Sequence, residues 1–413
     1  VSPENTGNGS GNPGNGPLKG IRVLELGQLI AGPYAGSVLA YFGAEVIKIE
    51  SPRGGDPLRR WRQMHGENSF WWYSLARNKK SVTLDLNQEE GRQILEQLVP
   101  HVDVVIENFR PGVLEKWGLG PERLKTLNPG VQIARISGYG QDGPLAQKPG
   151  FASVCEGFSG FRYVNGFEGE APVRPNLSIG DTIAGMHAVM GILMGLLHRE
   201  RLGKRDDSAG QVIDVSLFES MFSLMEAVIP EYTGAGVVRQ PSGTTVTGIV
   251  PTNTYRCADG KYLIIGGNGD SIFKRLMTAI GREDMANDPE LADNPGRVLH
   301  EERIDKVLAS WCEKRPVEDA MKVLEEARVP AGPIYSAEDM IDDEQYAARN
   351  TLEPVSVDGV NFSIPAYGPK FERTPGSTCW VGPQLGEHNS EIYEHMLGIP
   401  ETQLCALREK QVI

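Results

Sequence analysis

Short apolar runs recur along the first half of the chain, separated by helix-patterned segments of about ten residues or more, and that alternation narrows the fold more than any other feature. Residues 21–25 form the first run. Gly32 and Pro33 punctuate it, and residues 33–42 read as a helix with proline in its opening turn. Glu45–Glu50 is a second strand, in which Val46 and Lys48 alternate with Ile47 and Ile49. Residues 88–99 place Ile94, Leu95 and Leu98 at helical spacing, and residues 102–106 and 131–136 are further apolar strands. Strands joined by such helical crossovers build a largely parallel sheet covered on both faces. The expected fold is therefore α/β, with a doubly wound large domain.

Residues 182–199 carry the clearest helical period. Ile183, Met186, Met190, Leu193, Met194 and Leu197 make an apolar stripe, and Ala184, Ala188, Gly191 and Gly195 make a stripe of small side chains on another face. Such a face lets a second backbone or a ligand come close; tight helix packing is the simpler reading. Asp181 precedes this helix and is placed as its N-cap. Residues 211–215 read as a strand and 217–228 as a Met- and Phe-rich helix, while 234–254 lack periodicity and read as a long connection. Residues 255–267 read as a hairpin turning at Asp259-Gly260. Helices are expected at 271–280, 301–311 and 317–327, giving a small α+β unit over 230–330. Extended pieces return at 362–365 and 370–371, and helix is expected after Glu387.

At roughly 150 residues per domain, 413 residues suggest two to three domains. With 41 Lys and Arg against 54 Asp and Glu, the net charge is −13, which argues against nucleic acid as a partner. A small anion needs only a local basic cluster. No uninterrupted apolar run reaches the roughly 18 residues of a membrane span, so none is expected. Residues 1–16 are polar and Gly/Asn-rich, and read as a disordered tail rather than a signal peptide. The Asn8-Gly9-Ser10 sequon within it is then incidental. Five widely spaced cysteines fit reduced thiols in a cytoplasmic protein. No C-x-x-C or H-E-x-x-H pattern points to a metal site.

Gly27, Gly32 and Gly36 do not match G-x-G-x-x-G, and no G-x-x-x-x-G-K-[ST] exists, which disfavours a nicotinamide or nucleoside-triphosphate enzyme. Gly157-Phe-Ser-Gly160 misses the serine-hydrolase elbow by one position. The seven histidines show no metal-like spacing; His187 and His198 read as packing or surface residues. Asp181 reads in two ways. As a cap, its carboxylate accepts N–H groups of the first turn. The same geometry keeps it ionised at the positive end of a helix, open to an electrophile beside Gly180, as a covalent carboxylate nucleophile must be.

A series of segments resembles the class III CoA-transferases. It begins with Leu18-Lys-Gly-Ile-Arg-Val-Leu-Glu-Leu, Ala31-Gly-Pro33, Gly43-Ala-Glu-Val-Ile-Lys-Ile-Glu50 and Arg77-Asn-Lys-Lys-Ser81. Asp103-Val-Val-Ile-Glu-Asn-Phe-Arg-Pro-Gly112, Leu127-Asn-Pro129 and Ile136-Ser-Gly-Tyr-Gly140 follow. Gly180-Asp181, Arg328-Val-Pro-Ala-Gly-Pro333 and Leu385-Gly-Glu-His388 complete it, in order from about residue 17 onward. The family includes formyl-CoA transferase, carnitine CoA-transferase and the α-methylacyl-CoA racemases. It implies a Rossmann-like large domain from both chain ends (residues 17–229 and 331–413), a small domain over 230–330, and an interlocked dimer with itself or a homologous subunit. No tightly bound cofactor is implied, since coenzyme A enters as a thioester substrate. Asp181 matches the family's catalytic aspartate, which is acylated by the donor thioester and then carries CoA as an aspartyl thioester.

The resemblance also assigns binding residues. Asn78 and Lys79 match a segment lining the CoA site, with Lys79 available to a phosphate. Asn108, Phe109 and Arg110 match pantetheine and nucleotide contacts. Lys116 stands where formyl-CoA transferase has an arginine, and Arg53 is expected to serve in place of Ser51. Gly266, Gly267 and Asn268 resemble the glycine segment near the acyl pocket. Racemase members place His then Asp where this chain has Phe151 and Ala152, which cannot exchange protons; transferase members carry a carboxylate at the Ala152 position. The segment 150–154, with Arg162 and Arg174 downstream, resembles the branch that uses succinyl-CoA and dicarboxylates such as malate or citramalate. Arg174 or Arg59 would meet the second carboxylate, although Arg174 equally reads as an ion-pair partner. The competing readings are an acyl-CoA racemase or isomerase of the same fold and a catalytically silent CoA-binding subunit.

Overall fold

A computed structural model describes residues 16–202 and 209–413. The expected tail, apart from Gly16, lies outside the described residues. Two compact units emerge. The first gathers the chain up to Phe161, Arg174–Ile229 and Ala348–Ile413; the second gathers Arg162–Val173 and Pro230–Ala347.

The first unit is built on a six-stranded sheet: β1 (Arg22–Glu25), β2 (Glu45–Glu50), β3 (Lys79–Thr83), β4 (Val104–Glu107), β5 (Gln132–Ser137) and β6 (Gln211–Ser216). Every neighbouring pair is parallel, and the order is β3-β2-β1-β4-β5-β6. Because side chains alternate across a strand, Leu24, Ile47, Val82, Val105 and Ile133 enter one core. Val23, Val46, Val104 and Ala134 enter the other. Two buried faces explain why most of these strands carry neighbouring apolar residues. Helix α1 (Ala31–Tyr41) covers the second core, and α2 (Glu89–Leu98) covers the first together with residues 392–413.

Strand β3 was not visible in the sequence pattern. Its sequence is Lys-Lys-Ser-Val-Thr, and Lys79 and Ser81 are buried by pairing with carboxylates rather than by being apolar. The expected helix over 217–228 is shorter: α5 spans Leu217–Phe222, and the chain turns where Glu226 takes φ +43° before a second helix at Val228–Ala235. Lys370 and Phe371 form no strand. The hairpin of Leu352–Val357 and Val360–Pro365 ends at Pro365, and Pro369 has no N–H to extend it.

Between β5 and β6 lie α3 (Ala152–Phe158) and the 24-residue α4 (Ile179–Leu202). The small face of α4 points inward. A Cβ on Gly185 would sit 2.8 Å from the Ala31 carbonyl oxygen of α1, and one on Gly195 would meet Gln132 of β5 at 2.2 Å. The bulky stripe points outward: Met186, Met190, Leu193, Met194 and Leu197 are 40–64% exposed. By length and composition alone α4 is long and apolar enough to cross a membrane, although glycines interrupt its apolar run. Its inner face nevertheless packs on the sheet and α1.

The second unit holds a three-stranded antiparallel sheet of Thr252–Arg256, Tyr262–Gly266 and Ala331–Pro333, so its chain runs past residue 330. Helices Asp270–Ala279, Glu301–Cys312 and Val317–Glu326 bury Phe273, Leu276, Leu308 and Leu324 against it.

Candidate active site

Asp181 lies in the first turn of α4 as its third residue, not at the N-cap, because the helix starts earlier than its apolar period. What stands in for a cap is Glu156 on α3. Its Oε1 accepts the Gly180 N–H at 3.3 Å, satisfying a first-turn donor from a neighbouring helix. A Cβ on residue 180 would meet Ala152 Cβ at 3.1 Å and Glu156 Oε1 at 3.2 Å, so glycine lets the two helices close on each other.

The Asp181 carboxyl is pushed up to about 6, by burial first and by the Glu156 charge second, with Arg174 opposing. Burial and a like charge thus oppose the helix end, yet a carboxyl at about 6 remains mostly ionised at pH 7, as a nucleophile requires. Cys155 is buried with its Sγ donating to the Gly138 carbonyl at 3.3 Å, and burial pushes its thiol up to about 11. It is therefore no thiolate nucleophile at neutral pH. Gly138 follows the carboxyl end of β5, and a Cβ there would meet the Gly150 Cα at 3.1 Å, which draws the start of α3 to the top of that strand. Phe151, the residue before α3, is 74% exposed, and Arg174 is exposed before α4.

A second cluster lies off the carboxyl ends of β1 and β4, where the strand order reverses and open α/β sheets form a crevice. Asn108 follows β4 and clamps the loop after β1, accepting from Gln28 N–H and donating to Gln28 C=O, both at 2.8 Å. Phe109 stands edge-on to Trp117 at 5.3 Å and lines a small cavity with Ser51 and Asp85. Its N–H donates to Glu107, whose carboxyl burial pushes up to about 7 against the pull of Arg135. Arg53 ion-pairs with Asp85 while its side chain stays 63% exposed. Arg110 and Lys116 are exposed.

Asn78 and Lys79 do not join that cluster. They enter the sheet at the amino end of β3, opposite the edge that Asn108 leaves. Asn78 takes φ +57°; its Oδ1 accepts from Cys379 N–H and its Nδ2 donates to Ser377 C=O, both at 2.7 Å. The Lys79 ammonium is fully buried against Glu25 at 2.8 Å and Pro33 C=O at 2.6 Å, and burial pulls it down to about 8 despite Glu25. The expectation that Lys79 meets a phosphate is thus overturned. Arg59 is likewise sealed. It donates to both Glu50 oxygens, to Asn68 and to Pro383 C=O, and stacks over Trp72 at 3.7 Å. That leaves Arg174 as the candidate for a second carboxylate.

In the second unit, residues 266–269 form a pinned turn. Gly266 and Gly267 donate to Pro330 and Pro251 carbonyls, Asn268 C=O accepts from the buried Arg297 at 2.7 Å, and a Cβ on Gly267 would meet Leu276 at 2.6 Å. Sequence reasoning missed Glu156. The available signal was that it is the lone charged residue between Gly150 and Gly160.

Known proteins resemble the chain over nearly its whole length. Succinyl-CoA–D-citramalate CoA-transferase of Chloroflexus aurantiacus is 43% identical over 96% of the chain and 98% of its own length. The alpha subunit of succinyl-CoA–L-malate CoA-transferase from the same organism is 38% identical over 97% of the chain and 94% of its length. A crystal structure of a CaiB/BaiF family protein from Brucella suis superposes with a TM-score of 0.81 at 32% identity, covering 92% of the chain and all of that structure. The model of CoA-transferase family III matches residues 18–389. With the sheet, the aspartate-bearing helix and these matches in agreement, the chain belongs to CoA-transferase family III.

Proposed function

We propose that the chain moves CoA from succinyl-CoA to a free dicarboxylic acid such as citramalate or malate, with Asp181 as covalent carrier. The observation that carries this reading is the Asp181 carboxyl in the first turn of α4, raised by burial to about 6, in a chain that matches named succinyl-CoA transferases nearly end to end. An Asp181 oxygen attacks the donor thioester carbonyl; CoA thiolate leaves and a mixed anhydride forms. The thiolate attacks the aspartyl carbonyl, releasing the donor acid and leaving an aspartyl-CoA thioester. The acceptor carboxylate then attacks that carbonyl, expelling CoA thiolate and forming a second anhydride. Attack of the thiolate on the acceptor's carbonyl yields the new acyl-CoA and frees Asp181. Each step exchanges one activated acyl group for another.

Asn108, Phe109, Arg110, Lys116 and Arg53 would hold CoA at the crevice between β1 and β4, with Arg110 able to grip a phosphate by two N–H groups. Arg174 would meet the acceptor's far carboxylate. Phe151 would contact the acyl group, and Gly266, Gly267 and Asn268 are assigned to substrate binding by the family resemblance alone. The absence of a proton-exchanging side chain at Phe151 and Ala152 favours transfer over racemisation. The Rossmann-like unit, the small unit and a second interlocked copy make up the proposed assembly, and the outward Met/Leu stripe of α4 supports a covering partner. Five cysteines, none of them in a disulfide among the described residues, support a cytoplasmic setting.

The test is turnover of the purified chain with succinyl-CoA and a panel of acids, quenched with hydroxylamine. Transfer with a hydroxamate on Asp181 supports the reading. Transfer with the label elsewhere, α-proton exchange without transfer, or no activity would sink it.

A further inference from the structure

Glu156 has no part in the mechanism above, yet it is fully buried and its carboxylate reaches the backbone one residue before Asp181. We infer that Glu156 is a positioning residue for CoA transfer: it fixes the first turn of α4 through its hydrogen bond to the Gly180 N–H and sets a negative charge beside the Asp181 carboxyl. The inference rests on the reading of Asp181 as the carrier. Two features of the geometry support it. The Glu156–Gly180 contact fixes the first turn of α4 at 3.3 Å, and glycine at 180 leaves no side chain between the two helices. A buried charge beside a carboxyl also favours that carboxyl's neutral forms. Protonation is one neutral form; acylation is the other. When Asp181 becomes an anhydride or thioester it loses its charge, and the repulsion from Glu156 is relieved at that step. The groups whose charge reaches Asp181 are Glu156 on α3 and, opposing it, Arg174 before α4; the Cys155 thiol on α3 stays neutral at this pH.

The experiment is a carbon-13 titration of Asp181 in aspartate-labelled full chain, its signal assigned by loss in Asp181→Asn. Glu156→Gln keeps an oxygen for the Gly180 N–H while removing the charge. The midpoint near 6 should fall by about one unit or more, and hydroxylamine capture of acylated Asp181 should fall about tenfold. Glu156→Asp retains the charge and should hold the midpoint near 6. An unmoved midpoint in Glu156→Gln, or an equal drop in Glu156→Asp, overturns the inference. The midpoint is read without turnover, so it stands apart from the hydroxylamine label on the unaltered chain, which alone decides whether Asp181 carries acyl groups.

Discussion

Gln28 and Asn108 exchange two 2.8 Å hydrogen bonds across the point where the strand order reverses, tying the loop after β1 to the loop after β4. One side chain thus satisfies both backbone groups of a residue 80 positions away. Asn108→Ala leaves that N–H and C=O without partners. It should cost about 1–3 kcal/mol in urea unfolding and raise KM for the CoA thioester more than it lowers kcat. An unchanged KM would detach this crevice from CoA binding.

The acid side of the pH–rate profile should report Asp181. With its carboxyl at about 6, kcat/KM should fall below neutrality with a midpoint near 6, whereas an ordinary aspartate would place it near 4. A profile flat down to pH 5 would contradict the assignment.

The same carboxyl links stability to pH. Its folded midpoint lies above the unfolded value, so its contribution to stability is full below the ordinary aspartate range and is lost as pH rises through about 6. Asp181→Asn stays neutral throughout. It should therefore melt at a higher temperature than the unaltered chain at pH 8, with the gap closing toward pH 4, as calorimetry across that range would read.

Two arginines that the sequence treated alike should behave oppositely. Arg59→Ala strands the buried Glu50 carboxylate and should lose about 3–5 kcal/mol, largely abolishing soluble protein. Arg174→Ala should leave the melting temperature unchanged and raise KM for the dicarboxylic acceptor about tenfold or more, a loss of about 1.4 kcal/mol in binding. A one-carboxylate acceptor should be indifferent to the change.

Close approach of α4 to α1 makes Gly185 intolerant of even one methyl. Gly185→Ala should destabilise by about 1–3 kcal/mol despite the better helix propensity of alanine, because the added carbon would sit 2.8 Å from the Ala31 carbonyl oxygen. Denaturant unfolding measures the balance directly.

The parallel strands were legible because two buried faces demand Val and Ile, in an unbroken run in β4 and in one interrupted by the buried Lys48 in β2. Strand β3 was not, since Lys79 is buried through Glu25, and a charge pair leaves no apolar signature. The period of α4 was plain but its orientation was not: the sheet accepts only the small face, so the bulkier stripe turns outward. Asp181 was found from its place before a long helix and from family segments. Glu156 escaped notice because its partner Gly180 lies 24 residues further on. Lys79 and Arg110 looked equally available as basic residues, and only the fold reveals which of them a carboxylate has sealed.

The cover over one face of the sheet carries a consequence for biosynthesis. Leu24, Ile47 and Val82 share a core with Ile392, Tyr393, Leu404 and Val412, and the Asp85 N–H donates to Val412 C=O at 2.8 Å. During translation the opening strands emerge hundreds of residues ahead of that cover. Their apolar surface must wait bare while the intervening unit is made. A chain released before residues 392–413 are made would leave this apolar face bare and so be prone to aggregate rather than act as a slightly shortened version of the fold.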